Sequence, residues 1–422
     1  MSPSAASKPA TTPDSNDKAT ATDTSEHTMI ECTTCHESVD SRKFADRNKF
    51  KLRPGENLHD FEGSTASTQS LSSFIRILKY PNPHFFFNQT SLCASNVYRL
   101  FFAYTQVLQH DSHRCCTTYN KHHELNRFSD IPCIEETRVK VKHPTGDHDY
   151  IHANWVDGYR EPRKFILTQA PLKKGTDQFW KMIWQENSVV VVSMIHTIDV
   201  NGSEWCPSYI PQVGGEINSG DIHIKHCGVR RIRETYDATL LKVSSQGVDR
   251  HVLHLKFFSW GHRATPRKPT EVLNFITDVN YNRNLLLQQA NFKPDEKSPI
   301  IIHCLAGTAR SATIIVLDIC MRKLDDTFRR PCGPMLDVQD VVLRLRTQRA
   351  MAIQRAEQYV FLHLAILEYA VRQRYVSETT CAEIDLENYF YVPVASGSHS
   401  KSAENVNQDH PGKKSKDSEH KS

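Results

Sequence analysis

No stretch of this chain approaches the ~18 consecutive apolar residues that a membrane-spanning helix needs. Its longest candidates, VVVVSMI at 189–195 and IIVLDIC at 314–320, are far too short, so no membrane partner is expected. The N-terminus MSPSAASKPATTPDS has neither a basic start nor an apolar h-region, which excludes a secretory signal and points to the cytoplasm. Charge of one sign is also scarce. Lys and Arg total 52 against 48 Asp and Glu, a net +4 that gives no argument for nucleic acid. Paired cysteine motifs are lacking as well. CTTC at Cys32–Cys35 has no matching second pair, and HRCC at His113–Cys116 is a poor partner, so no metal site is expected. In a reducing compartment most of the 12 cysteines are then free thiols.

What is present is a soluble globular composition, 39% hydrophobic and 24% charged. Residues 1–71 are rich in Ser, Thr, Asp and Lys with little apolar periodicity, and read as a disordered tail. Residues 377–422 read mostly the same way. Between them, 72–376 is patterned throughout, and no Pro- or Gly-rich linker splits it, so it reads as one domain.

Strand and helix patterns alternate along that domain. SVVVVSMI at 188–195 is a β-branched, buried strand, HVLHLKFF at 251–258 alternates, and SPIIIHC at 298–304 is a short apolar run. PTEVLNFITDV at 269–279 places Val272, Phe275, Ile276 and Val279 at helical spacing behind a proline. DVQDVVLRL at 337–345 and AEQYVFLHLAILEYAV at 356–371 repeat the helical pattern. The expected fold is α/β (α+β): a mixed sheet flanked by helices.

The chemistry concentrates in HCLAGTARSAT at 303–313, between the strand SPIIIHC and the helix-like TIIVLDICM. A phosphoryl group wants inward backbone N–H groups, a helix N-terminus behind them and a planar cation. Ala306, Gly307 and Ala309 are small enough for backbone to approach a ligand, and Arg310 can fork two oxygens. In such a nest Cys304 becomes a thiolate nucleophile. Taken alone, the motif also fits a buried structural cysteine with a surface arginine nearby.

The wider context resembles the tyrosine-specific protein phosphatases, through separated motifs in that family's order. NRFSD at 126–130 resembles its phosphotyrosine-recognition loop, and DYIHANWV at 149–156 its D-Y-I-N-A-S segment. ILTQAPLKKGTDQFWKMIWQE at 166–186 resembles T-Q-G-P-L … D-F-W-x-M-x-W, and FFSWGHRATPRKPT at 257–270 occupies the place of the W-P-D loop. HCLAGTARSAT resembles the H-C-S-A-G-x-G-R-S-G-T loop, and IQRAEQYVFLH at 353–363 the Q-T-x-x-Q-Y-x-F element. The tails and substitutions most resemble the divergent phosphatase-like proteins of the polydnaviruses of parasitoid wasps.

That resemblance implies a single, twisted mixed sheet with flanking helices, and a role for each matching residue. Cys304 is then the nucleophile and Arg310 the phosphate clamp, with Leu305, Ala306, Gly307, Thr308 and Ala309 forming the cradle. Ser311 helps the thiolate leave, and His303 supports it from behind. Gln354 and Gln358 place the hydrolytic water. Asp130 grips the peptide backbone, and Phe128 flanks the phosphotyrosine ring. Thiol, arginine and backbone supply the site, so no metal or organic cofactor is implied. The implied partners are phosphotyrosine-containing proteins.

The departures from the family bear on catalysis. W-P-D becomes Trp260, Gly261, His262, so the acid that protonates the leaving oxygen is missing. General acid catalysis is typically worth about 10²–10⁴-fold. His262 is then either a substitute acid or a solvated loop residue, and Arg263 beside it disfavours the protonated form. Leu305 replaces a serine, Ala309 and Ala312 replace glycines, and alanine at 309 strains the loop if that position needs a positive φ. In VNGSEWCPSYIP at 200–211, Val200 and Trp205 replace supporting charges. Three readings stand: a phosphotyrosine binder that sequesters phosphoproteins, a slow but real phosphatase, and a scaffold acting through its tails.

Overall fold

The computed structural model describes residues 69–70, 115–142, 147–198, 202–261, 265–266, 269–290, 292, 296–331, 333–377 and 379. Apart from residues 69–70, 377 and 379, the expected tails lie outside the described residues, as do the CTTC pair, Val200, and His262 with Arg263; Gln69–Ser70, read from sequence as tail, form a short strand.

Strands β1 (Gln69–Ser70), β2 (Arg138–Lys140), β3 (Tyr150–Gly158), β4 (Glu161–Thr168), β5 (Val190–Ser193), β6 (Glu216–Ser219), β7 (Ile222–Ile232), β8 (Tyr236–Ser245), β9 (Val248–Phe257), β10 (Ile300–His303) and β11 (Met335–Leu336) occur in chain order. Strands β2 to β10 form one nine-stranded sheet in the order β2-β3-β4-β10-β5-β9-β8-β7-β6. Its centre is parallel, β4-β10-β5-β9, and its flanks are antiparallel. The helices are α1 (Thr117–Lys121), α2 (Thr176–Gln185), α3 (Thr270–Gln289), α4 (Arg310–Thr327), α5 (Val338–Gln348) and α6 (Ala356–Arg372).

The β-branched runs read from sequence become the central strands β5 and β10, covered on both faces as parallel strands must be. Their alternation sorts them. Val190, Val192, Ile300 and Ile302 pack into the cluster shared with α3, α4, α5 and α6. Val191 and Ile301 pack into the opposite cluster with Phe179, Trp180, Met182 and Ile183 of α2. β10 therefore ends with Cys304 on the first face and His303 on the second. The chain then turns into α4, so the HCLAGTAR loop is held between a strand buried at every position and a largely buried helix. Among the described residues no helix is long and apolar enough to cross a membrane.

Candidate active site

The loop from His303 to Arg310 closes where β10 hands over to α4. Cys304 is 2% exposed, and the hydroxyl of Ser311, in the first turn of α4, donates to its sulfur at 3.2 Å. Burial pushes the thiol up. The Arg310 guanidinium, the Ser311 hydroxyl and the N–H groups of Ser311 and Ala309 outweigh it and bring Cys304 down to about 7. This is the electrostatic nest expected from the sequence, at a helix N-terminus with a cation beside it. Arg310 is itself buried and donates from Nη1 to the carbonyl of Trp260 at 3.4 Å. Arg310 thus touches the base of the segment that carries Gly261 and His262. Trp260 is anchored by ring contact with Phe361 of α6, at 5.2 Å between centroids.

The tight position in the loop is Gly307. Its φ is +71°, and a Cβ there would stand 2.2 Å from the carbonyl oxygen of Thr168. The positive φ that would have made alanine unfavourable at 309 is not adopted: its φ is −103°. Leu305 replaces a hydroxyl with an apolar side chain that packs against the α2-side cluster, while its carbonyl accepts from Ala170 N at 3.0 Å. Ala306 is partly exposed, Thr308 is fully buried, and Thr308 O accepts from Ile353 N at 2.8 Å.

Ala170 also links this loop to Phe128 and Asp130. Arg127 donates to the carbonyls of Ala170 and Pro171, and its N–H donates to Gln169 Oε1 at 2.9 Å. The adjoining Phe128 is half-buried and Asp130 is exposed, so both are available to a peptide. At the other rim, Gln354 is exposed. Gln358 is 5% exposed, and its Oε1 accepts from Arg355 N at 3.4 Å, so it closes the start of α6. Trp205, in place of a charge, packs half-buried on the α2-side cluster.

Sequence reasoning missed Arg349. It is fully buried beneath the loop and donates to Gly307 O at 3.1 Å, Ala306 O at 2.9 Å, His152 Nδ1 at 3.1 Å and Asn154 Oδ1 at 2.8 Å. Two of these bonds hold loop carbonyls, which turns the opposite, N–H side of those peptides toward the cradle, and the other two fix the guanidinium on β3. A lone arginine in TQRAMAI gives no local signal of this, since its partners lie about 40 and nearly 200 residues away in sequence.

A buried thiol with a lowered pKa, a loop of small residues at a helix N-terminus and a buried guanidinium together have the chemistry to hold a tetrahedral dianion over a sulfur. Known proteins match in the same region. The protein-tyrosine phosphatase family model matches residues 122–368. Human tyrosine-protein phosphatase non-receptor type 9 is 33% identical over 262 residues, 60% of this chain and 43% of that protein. The Lar-like tyrosine-protein phosphatase of Caenorhabditis elegans is 33% identical over 261 residues, 59% of this chain and 10% of that protein. The chain thus spans less than half the length of these curated relatives. Among solved structures, the catalytic domain of human protein tyrosine phosphatase non-receptor type 18 superposes with a TM-score of 0.57 at 25% identity, covering 65% of this chain and 95% of that one. That phosphatase in complex with HER2 phosphopeptides superposes with a TM-score of 0.60 at 24% identity, covering 71% and 99%.

Proposed function

The chain belongs to the protein-tyrosine phosphatase family, and on that premise we propose that it binds phosphotyrosine-containing proteins while turning them over poorly or not at all. One contrast carries the reading. Cys304, Arg310, Ser311 and Gly307 keep the parts of a phosphate cradle, whereas the segment from Ser259 to Thr270 contains no carboxylate to serve as acid. Without a proton donor a phenolate must leave, at a cost of about 3–5.5 kcal/mol in barrier. Arg263 next to His262 works against an imidazolium at that position. Sequestration of phosphoproteins, in the manner of a decoy, is the function this supports. The pocket's buried guanidinium and thiolate argue against a scaffold that acts through its tails alone.

One contact favours a second reading, a slow phosphatase. The Ser311 hydroxyl at 3.2 Å from Cys304 Sγ assists a leaving thiolate, which is useful only if a cysteinyl-phosphate forms and is hydrolysed. The polar tails and the substitutions at Leu305, Ala309 and His262 support a closer kinship with the phosphatase-like proteins of polydnaviruses, which would act in the host-cell cytoplasm.

A burst assay with an activated aryl phosphate, whose leaving group needs no proton, separates the two steps. A burst stoichiometric with protein, together with no turnover of phosphotyrosine peptides, is expected. Comparable turnover of both substrates would sink the binder reading.

A further inference from the structure

Behind the nucleophile two histidine rings from separate strands converge on one phenol. Tyr209 Oη lies 2.7 Å from His303 Nε2 and 2.7 Å from His254 Nε2. All three residues are buried, His303 at 0% exposure. The geometry follows from register. On β9, Val252 joins the α2-side cluster and Leu253 the other, so His254 points to the same face as His303 of β10. β5 lies between these strands, and its Ser193 pairs with His303. Tyr209 is clamped above them: Trp180 Nε1 donates to its carbonyl at 2.8 Å, and its ring meets that of Phe179 at 5.0 Å.

A phenol has one proton, so it donates to only one of the two histidines. His303 Nδ1 faces the carbonyl of Cys304 at 3.3 Å, and only an N–H there is attractive. His303 Nε2 is then the acceptor, and Tyr209 donates to it. His254 must in turn donate its Nε2–H to Tyr209, which leaves its Nδ1 without a proton. That nitrogen is buried and has no hydrogen-bond partner among the described residues, as the assignment requires. The Ser193 hydroxyl also faces Tyr209.

We propose that His254 is a positioning residue for the nucleophile: through Tyr209 it fixes His303 in the Nδ1–H tautomer, whose ring N–H holds the carbonyl of Cys304. This rests on the reading of Cys304 as the nucleophile. The wire runs from His254 to Tyr209 to His303 to the Cys304 peptide, and each bond polarises the next. Both rings are held neutral at pH 7, His254 at about 3 and His303 at about 4, by burial first. The charged groups facing the network act the same way: Lys256 and the neighbouring ring on His254, and Arg127 and Arg310 on His303. Cys206 faces Tyr209. Because β9 runs straight into Phe258, Ser259 and Trp260, the same histidine also ties the strand that launches the acid-position segment to the thiol.

Two measurements on the full chain test this, and neither uses a phosphopeptide, so failure here is separate from failure of the proposed function. Long-range ¹H–¹⁵N spectra of histidine-labelled protein report tautomers directly. His303 as Nδ1–H and His254 as Nε2–H are expected; the opposite pair overturns the proposal. The second measurement is the pH profile of Cys304 alkylation. His254→Leu should raise its midpoint by roughly half a unit, about threefold slower alkylation at pH 5.5, as loss of one bond in a polarised chain implies. His254→Gln, which keeps an N–H near the Nε2 position, should restore the wild-type profile, and His254→Leu should add nothing to Tyr209→Phe. A folded His254→Leu protein with the wild-type profile overturns the proposal. If that variant does not fold, the tautomers of the wild type decide.

Discussion

Arg349 holds the carbonyl of Ala306 at 2.9 Å from beneath the phosphate loop, with the guanidinium fully excluded from solvent. The loop's curvature is therefore imposed from below as much as by its own glycine. Replacing Arg349→Met removes the donors and leaves the carbonyls of Ala306 and Gly307 and the Asn154 amide oxygen buried without this partner. Urea denaturation should show a loss of about 3 kcal/mol or more, from unsatisfied groups at about 1–3 kcal/mol each. Arg349→Lys should recover only part, because an ammonium cannot reproduce the fork. Wild-type stability in Arg349→Met would mean that the contacts are incidental.

Cys304 should titrate near 7 in alkylation experiments, well below a free thiol. The sign of its linkage follows. A depressed folded pKa contributes stability that is fully present above the unfolded value and is lost as pH falls through about 7, so this thiol makes the fold more stable between neutral and alkaline pH. Arg310→Lys separates charge from geometry. It keeps the cation, so the midpoint should move little, while phosphopeptide affinity measured by titration calorimetry should fall about tenfold with loss of the bidentate contact. A wild-type midpoint at the free-thiol value of about 8.5 would remove the activated-nucleophile argument.

Gly307→Ala should abolish the cradle without unfolding the domain. Its Cβ would meet the backbone of Thr168 at 2.2 Å on a residue with φ +71°. Thr168 belongs to β4 and cannot yield as a flexible side-chain tip would. Phosphopeptide binding should weaken about tenfold or more, the scale of 1–3 kcal/mol of local strain. Gly247→Ala is the control, with φ +78° in open space on the β8–β9 turn. It should cost about 1 kcal/mol of stability and leave affinity unchanged. Equal affinity in both variants would place the binding site elsewhere.

What the sequence revealed and what it hid divide by the range of the interactions. β5, β10, α3 and the loop around Cys304 were legible because local patterns decide them: β-branched runs, helical spacing behind Pro269, and a cysteine six residues before Arg310. Arg349, Tyr209 and His254 were not legible as a set, because their work consists of contacts between residues 42 to 197 apart in the chain. Whether Ala309 needed a positive φ was hidden for a related reason. The left-handed residue of the loop is Gly307, and only the packing of β4 against the loop decides which small residue takes that conformation. Gln358, which the family resemblance reads as a residue that places water, has its side-chain oxygen at the start of α6, a position set by its third place in that helix and visible only once the helix start is known.

The missing acid decides between a binder and a slow enzyme. Wild-type protein should show little turnover of phosphotyrosine peptides, since the leaving phenolate finds no carboxylate between Ser259 and Thr270. His262→Asp alone should restore only part of the rate. A well-positioned acid is worth about 10²–10⁴-fold, and a misplaced one far less. Gly261 is exposed and has no ring to fix its φ, so the segment is poorly set for an acid placed next to it. Gly261→Pro with His262→Asp should therefore exceed the product of the single effects, because adjacent residues in one loop couple. Trp260 gives a check on geometry. Its carbonyl receives Arg310 at 3.4 Å, so a restored segment that closes correctly should leave phosphopeptide affinity intact while raising kcat at saturating peptide. Efficient turnover by the wild type, lost in His262→Ala, would instead make the imidazole the acid and the protein a phosphatase in its own right.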